Sequence, residues 1–341
     1  MWDIGHGGKA TAGALSAMPA QQSRIPADAP RGPSEDGLKW RLADWSTAAT
    51  VRAVARRRLA DKDRGLPFSP ELVPLLSHAL VCNRDDAVQR MILGQKLHSY
   101  FRFTTHLELK AVLPACTMIG LKESAIRTTD EFAHDGFKIA VDEAHHAYCA
   151  EDMKQQLTAI TDIRPYRERP PAFLRSLTGE QTALEGKFKQ LALLAFTCVS
   201  ETLITSSLAN VPADERVIRA IRDVIMDHAR DEAKHHGYFS CFMETMWAQL
   251  TIEERDVVGP LFAKFIGTFL SHDAEAESDW LEAAGFSGAD RTRIVAESYE
   301  AIDLRKIHRQ ASKPTVALMN RFGMLDHPAT ADALAAAGLV E

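Results

Sequence analysis

The chain has 341 residues, 46% hydrophobic and 25% charged, enough to bury a large core in one domain or two. A net charge of -6 at pH 7 leaves no basic footprint and argues against a nucleic-acid partner. Its five cysteines (Cys82, Cys116, Cys149, Cys198, Cys241) are odd in number, widely spaced and without a CxxC pair, and read as buried free thiols of a reducing cytoplasm.

Residues 1–37 are rich in Gly, Ala, Ser and Pro and lack any period, which predicts a flexible arm; Asp3, His6 and Lys9 flank no apolar run of a secretory signal. Residues 38–341 are expected to form a single helical domain. Within it, residues 46–62 read as a basic amphipathic helix, with Val51, Val54 and Leu59 set against Arg52, Arg56, Arg57 and Arg58. A short helix is expected over 70–82, then a long one over 85–119 that Pro114 should kink or end early. Thr128-Thr129-Asp130-Glu131 starts a second long helix, to about 158, and the Pro- and Arg-rich stretch 164–171 is a connection. A third helix is expected over 179–208. The fourth starts at Val211-Pro212-Ala213-Asp214 and carries an uninterrupted run to His236. Further helices are expected over 253–272, 288–301 and around 315–322. No strand-like alternation of useful length occurs, so the fold class is all-α.

Between Leu191 and Val211 the only charged residue is Glu201. By length this run nearly suits a membrane span, yet a mid-bilayer Glu costs roughly 2.5–3.5 kcal/mol, and flanking aromatic belts and loop-charge asymmetry are missing. A helix apolar on every side is otherwise one buried in a large protein. Its lone carboxylate must then be protonated, paired or bound to a cation.

Two runs of Asp-Glu-x-x-His occur, Asp142-Glu143-Ala144-His145-His146 and Asp231-Glu232-Ala233-Lys234-His235, each on a long helix. Residues at i and i+3 share a helix face, so each Glu-x-x-His can hold one ion while its Glu bridges to a second. The first helix adds Glu108 and the third Glu201. One Glu from each of two helices plus Glu-x-x-His from each of the other two is the ferritin-like four-helix pattern, placed here at about 85–250 with additional helices around it. Four carboxylates balance two divalent cations, and carboxylate with imidazole suits iron or manganese; zinc favours fewer, tetrahedral ligands. His228, one turn before Glu232, is either a core histidine bonded to a carboxylate or a seventh ligand.

On Glu108, Glu143-x-x-His146, Glu201 and His228-x-x-x-Glu232-x-x-His235, residues 85–245 resemble the AurF-like p-aminobenzoate N-oxygenases. The resemblance implies a non-haem di-iron centre with Glu108, Glu143, His146, Glu201, His228, Glu232 and His235 as ligands, His228 being the family's additional histidine. It also implies O2 as co-substrate, an external electron donor or redox partner, and oxidation of a primary amine to hydroxylamine, nitroso or nitro products. The amine is an arylamine, or an amino-acid-derived one on a carrier protein; a homodimer is the family's implication.

Asp142 and Asp231 are either solvated helix charges or the groups that orient the ligand histidines through their outer nitrogens. His145 and His236 are turned about 100° from the ligand face and read as non-ligands, and His98 and His106 as ordinary polar or core residues. Thr104, Thr197, Cys198 and Thr205 share faces with Glu108 and Glu201 and either line a substrate pocket or fill core; Tyr100 is a further candidate substrate contact. The main alternative activity is a di-iron oxidase attacking C–H bonds. A radical-generating subunit would want a tyrosine one turn after His146, where Ala150 stands. Iron storage and a non-catalytic metal-stabilised binding protein are the remaining alternatives.

Overall fold

The computed structural model describes residues 42–60, 65–208 and 210–340. The segment read as a flexible arm, 1–37, lies outside these. Among the described residues no strand forms, and Leu66 and Val217 make one isolated parallel bridge. The fold is all-α, as the hydrophobic periods predict.

The single basic helix expected over 46–62 is not formed. Two four-residue turns, α1 (Trp45–Ala48) and α2 (Thr50–Ala53), give way to extended chain from Val54. The bundle consumes the polar groups that a free helix would turn to solvent. Arg56 forks onto Asp152 (2.8 and 2.7 Å), Arg57 onto Asp227 (2.7 and 3.0 Å), and the Gln156 amide bonds the backbone at Leu59 and Arg57. Each arginine fork fixes the strap more firmly than an isolated helical turn could. The helix expected over 70–82 is likewise broken, by Pro74 and the His78 cap, into two 3-10 turns and α3 (Ala79–Cys82).

The first bundle rod shows what a helix does with a central proline. α4 (Asp86–Leu107) passes through one π-turn (Glu108–Val112) into α5 (Leu113–Gly120). Pro114 has no N–H for the Lys110 carbonyl and its ring would strike it. Widening the turn, so that the Leu113 N–H reaches Glu108 O, absorbs the misfit, and the expected kink or early end becomes a wide turn that begins at Glu108.

α6 (Asp130–Thr161) is capped by Thr129, whose side chain accepts from the Phe132 N–H, and ends at Asp162 with a left-handed φ of 57°. The helix expected from 179 is really two, α7 (Ala172–Ala183) and α8 (Lys187–Leu208), parted at Gly186, whose φ of 53° favours glycine. A four-residue turn, α9 (Asn210–Ala213), precedes α10 (Arg219–Gln249); the fourth rod therefore starts five residues later than Asp214, which bonds Arg216 instead.

Beyond the bundle lie α11 (Ile252–Leu270), begun by a Thr251–Glu254 capping box, α12 (Ala274–Ala283), α13 (Gly288–Glu300), α14 (Leu304–Arg321) and α15 (Pro328–Ala336). Sequence reading misses α12 and α15 and sees only the end of α14. Of α14 only Ser312, Thr315 and Met319 are buried.

α4 and α5 pack on α6, α10 on α8, and α8 is enclosed further by α7, α11 and α14. Every residue from Leu191 to Ile204 is buried. Phe196 of α8 stacks on Phe173 (5.5 Å between centroids) and meets Phe265 edge-on (5.3 Å), sealing that helix from outside. The apolar run of α8 is a core helix; no helix among the described residues is long and apolar enough to cross a membrane.

Candidate metal centre

The four rods bring Glu108, Glu143, His146, Glu201, His228, Glu232 and His235 into one buried cluster, with each of the four carboxylates fully shielded from solvent. Glu143 straddles two imidazoles: its Oε2 is 3.0 Å from His146 Nδ1 and its Oε1 is 3.0 Å from His235 Nδ1. Glu232 Oε1 lies 3.4 Å from His146 Nδ1, 3.3 Å from His235 Nδ1 and 3.0 Å from His228 Nε2. Glu108 approaches His228 Nε2 at 3.5 Å, and Glu201 approaches His235 Nδ1 at 3.9 Å.

Donor atoms gather in two overlapping sets, each within 4.8 Å of one another: His146, His228 and Glu232, and Glu143, Glu201, Glu232 and His235. Glu232 belongs to both. Seven of the cluster's buried polar atoms have no hydrogen-bond partner among the described residues, including both oxygens of Glu108 and of Glu201, and His235 Nδ1. Buried oxygens left unpaired are costly in a folded protein, and so many at one point are explained by cations placed between them. The donor set fits two ions with hard carboxylate and imidazole ligands. His145, by contrast, turns toward Cys149 and Tyr148, outside the cluster.

The outer nitrogens of the two histidines meet aspartates crosswise. His235 Nε2 on α10 lies 3.3 Å from Asp142 on α6, and His146 Nε2 on α6 lies 3.2 Å from Asp231 on α10. Each aspartate is held in turn by the strap: the Trp45 indole donates to both oxygens of Asp142 (2.9 Å each), and the Thr50 hydroxyl and backbone N–H donate to Asp231. Sequence reasoning misses Trp45 and Thr50. They stand 97 and 181 residues from their partners, and no local pattern signals such a pairing.

A cavity of about 100 Å³ adjoins His146 and His228, lined by Tyr100, Phe101, Thr104, Ala150, Val224 and Ile225 and by strap residues 54–57. Tyr100 and Thr104 thus fall beside the cluster. Thr197 does not; its hydroxyl donates to the Leu193 carbonyl of its own helix (2.9 Å). The Thr205 side chain lies outside the described residues. Cys198 is buried core. His98 donates from Nε2 to the Ile163 carbonyl (2.8 Å), and burial lowers its pKa.

Electrostatics of the cluster gives a signed prediction. Burial, then the charge of Glu143, pushes Glu108 up to about 8, and burial with Glu232 and Glu143 raises Glu201 well above the carboxylate range. Burial pulls His146 and His235 down, but Asp231, Glu143, Glu232 and Asp142 outweigh it and leave both well above the ordinary imidazole value. All four groups hold more protons folded than unfolded once pH exceeds their unfolded values, about 4.3 for Glu and 6.5 for His. Metal-free protein should therefore lose stability as pH rises from about 4.5 through about 8. Burial also drives Glu143 and Glu232 upward, but His235 and the neighbouring imidazoles hold both below the ordinary value, so they act oppositely and only in acid. Melting of the metal-free protein between pH 5 and 8.5 checks this: Tm should fall across the range, and Glu108→Gln should flatten the slope. A Tm that rises with pH contradicts the assignment.

A family described as P-aminobenzoate N-oxygenase AurF matches residues 42–323, a span that holds all seven cluster residues together with Trp45 and Thr50. No curated protein matches the chain.

Proposed function

This chain belongs to the p-aminobenzoate N-oxygenase AurF family of non-haem di-iron monooxygenases, and from that premise we propose that it uses O2 to oxidise a small primary arylamine at nitrogen, giving hydroxylamine, nitroso or nitro product. The observation that carries the reading is the doubled donor set, with its unpaired buried oxygens, beside an apolar cavity. Residues 38–341 act as one helical domain, in the cytoplasm and as a homodimer.

In this reading Glu108, His146 and His228 would hold one iron and Glu201 and His235 the other, with Glu143 and Glu232 shared between the two sites. When bound, the irons supply the redox chemistry with O2, electrons coming from an external donor. The chain's own residues fix the ligands, exclude water and place the amine. The aspartates keep Nδ1 of His146 and His235 turned inward by holding Nε2. Phe101, Ala150, Val224 and Ile225 give the ring an apolar wall, in a cavity of about 100 Å³, the same order as the ~150 Å³ that accepts benzene. Arg56 and Arg57, pinned to Asp152 and Asp227, line the same cavity.

A longer, carrier-tethered amine is the second reading. It is favoured by a neighbouring cavity of about 530 Å³ that shares Tyr100 with the first.

Product identity tests the reaction: aniline should give N-hydroxyaniline, nitrosobenzene or nitrobenzene, whereas aminophenol would move the enzyme to C–H oxidation. The pocket has its own test. Val224→Phe should raise KM for aniline about tenfold or more, roughly 1.4 kcal/mol of lost binding, at wild-type iron content. An unchanged KM would place the amine elsewhere.

A further inference from the structure

We propose that Trp45 and Thr50 are positioning residues of the metal centre, each governing one of its two ion sites through a buried aspartate. The inference rests on the di-iron reading and extends it to a segment that precedes the bundle and contributes no ligand.

Two chains of contact run inward from a stretch of six residues. One passes from the Trp45 indole N–H to both oxygens of Asp142 (2.9 Å each) and on to His235 Nε2 (3.3 Å). The other passes from the Thr50 hydroxyl and backbone N–H (3.2 Å) to Asp231 Oδ2 and on to His146 Nε2 (3.2 Å). Both aspartates are buried, with 1% of their surface exposed. An imidazole N–H alone leaves such a carboxylate free to rotate about its side-chain bonds and carry the imidazole with it. A second donor on the same carboxylate fixes its plane, and with it the direction of the opposite ring nitrogen. In both histidines that opposite nitrogen is Nδ1, the atom that faces Glu143 and Glu232.

The crosswise arrangement makes the two chains separable. Asp142 rides on α6 but serves the histidine of α10, and Asp231 rides on α10 but serves the histidine of α6. His235 belongs to the donor set of Glu143, Glu201 and Glu232, and His146 to the set of His228 and Glu232. Trp45 thus bears on one ion site and Thr50 on the other.

The donors also stand in a segment with little secondary structure of its own. α1 and α2 are four residues each, too short to persist alone. Thr50 lines the small cavity together with Val54, Ala55, Arg56 and Arg57. Docking of the strap therefore does two things at once: it roofs the cavity and squares both histidines to the ions.

The test is an anaerobic equilibrium titration of the full chain with Fe(II), comparing wild type with Trp45→Phe, Thr50→Val and Thr50→Ser. Phe keeps the ring that the Arg52 guanidinium approaches (5.9 Å) while removing the N–H, and Val is the shape of Thr without its hydroxyl. Trp45→Phe and Thr50→Val should each weaken one of two sites about 10- to 100-fold, the usual loss on removing such a support. Thr50→Ser, which restores the hydroxyl, should titrate like wild type. Mössbauer spectra of the 57Fe(II)-loaded variants should show a different one of the two iron signals altered in each. A double-mutant cycle guards against general loosening: Thr50→Val should add nothing to His146→Ala, yet add its full loss to His235→Ala. Wild-type affinity at both sites in Trp45→Phe and Thr50→Val would overturn the proposal, as would equal weakening of both sites by each. Failure of the wild type to bind iron would instead overturn the di-iron reading.

Discussion

Replacing Glu232 by alanine is expected to strip both ions from the protein and abolish amine oxidation, a loss of at least about 10³-fold for several kcal/mol of stabilisation removed. The reason is its central place. One oxygen, Oε1, lies 3.0–3.4 Å from all three imidazoles, so neither donor set is complete without it. A ligand at the edge behaves differently: Glu108 or Glu201 touches one set, and its loss should spare a share of the other ion. Two further consequences separate this variant from simple misfolding. Its metal-free form should still melt cooperatively, at a lower temperature because a buried charge facing three imidazoles is lost and a cavity is left. Added iron should no longer raise that temperature, because ligand stabilisation requires a site. Iron content, activity and melting with and without iron make the comparison. Two irons retained with activity intact would remove Glu232 from the ligand set.

Glu201→Leu is expected to have opposite effects on stability and function. Glu201 sits in α8 among residues buried on every side, and neither of its oxygens has a hydrogen-bond partner among the described residues. In metal-free protein burial and the charges of Glu232 and Glu143 raise its pKa well above the ordinary carboxylate value. Leucine has a similar volume and nothing to desolvate. Replacing a buried carboxyl that has no hydrogen-bond partner by an apolar group of matching size removes a desolvation cost of about 1–3 kcal/mol, which here means a metal-free Tm several degrees above wild type. The same change removes an anionic ligand, so iron binding at the His235 set and turnover should be lost. A site whose function costs the fold stability is what a metal centre looks like before metal binds. A lower Tm in the metal-free variant would mean that Glu201 is satisfied by the protein itself.

How legible all this is in the sequence depends on the range of the interaction. Five of the seven cluster residues, Glu143, His146, His228, Glu232 and His235, are readable because they recur at i+3, i+4 or i+7, and helical spacing turns that into a shared face. Glu201 is readable because a single carboxylate in an otherwise apolar run calls for a partner. The second layer is only half readable. Asp142 and Asp231 sit beside ligand glutamates, yet the histidine each one touches is on the other helix, a fact of packing and not of spacing. Trp45 and Thr50 are illegible, being tied to the site through contacts across 97 and 181 residues. The basic segment after them misleads for a related reason: its pattern suits a helix, but its arginines find Asp152 and Asp227 and the chain extends to reach them. Pro114 shows the converse. The sequence announces a disturbance, and only the fold reveals that it is taken up as a π-turn beginning at a ligand.

The measurement that bears most directly on the central claim is an anaerobic Fe(II) titration of the metal-free chain, read by bound iron against added iron. The account requires binding to saturate at two irons per chain, lost together in Glu232→Ala. Saturation at one ion, a preference for a single zinc, or no binding at all would contradict it.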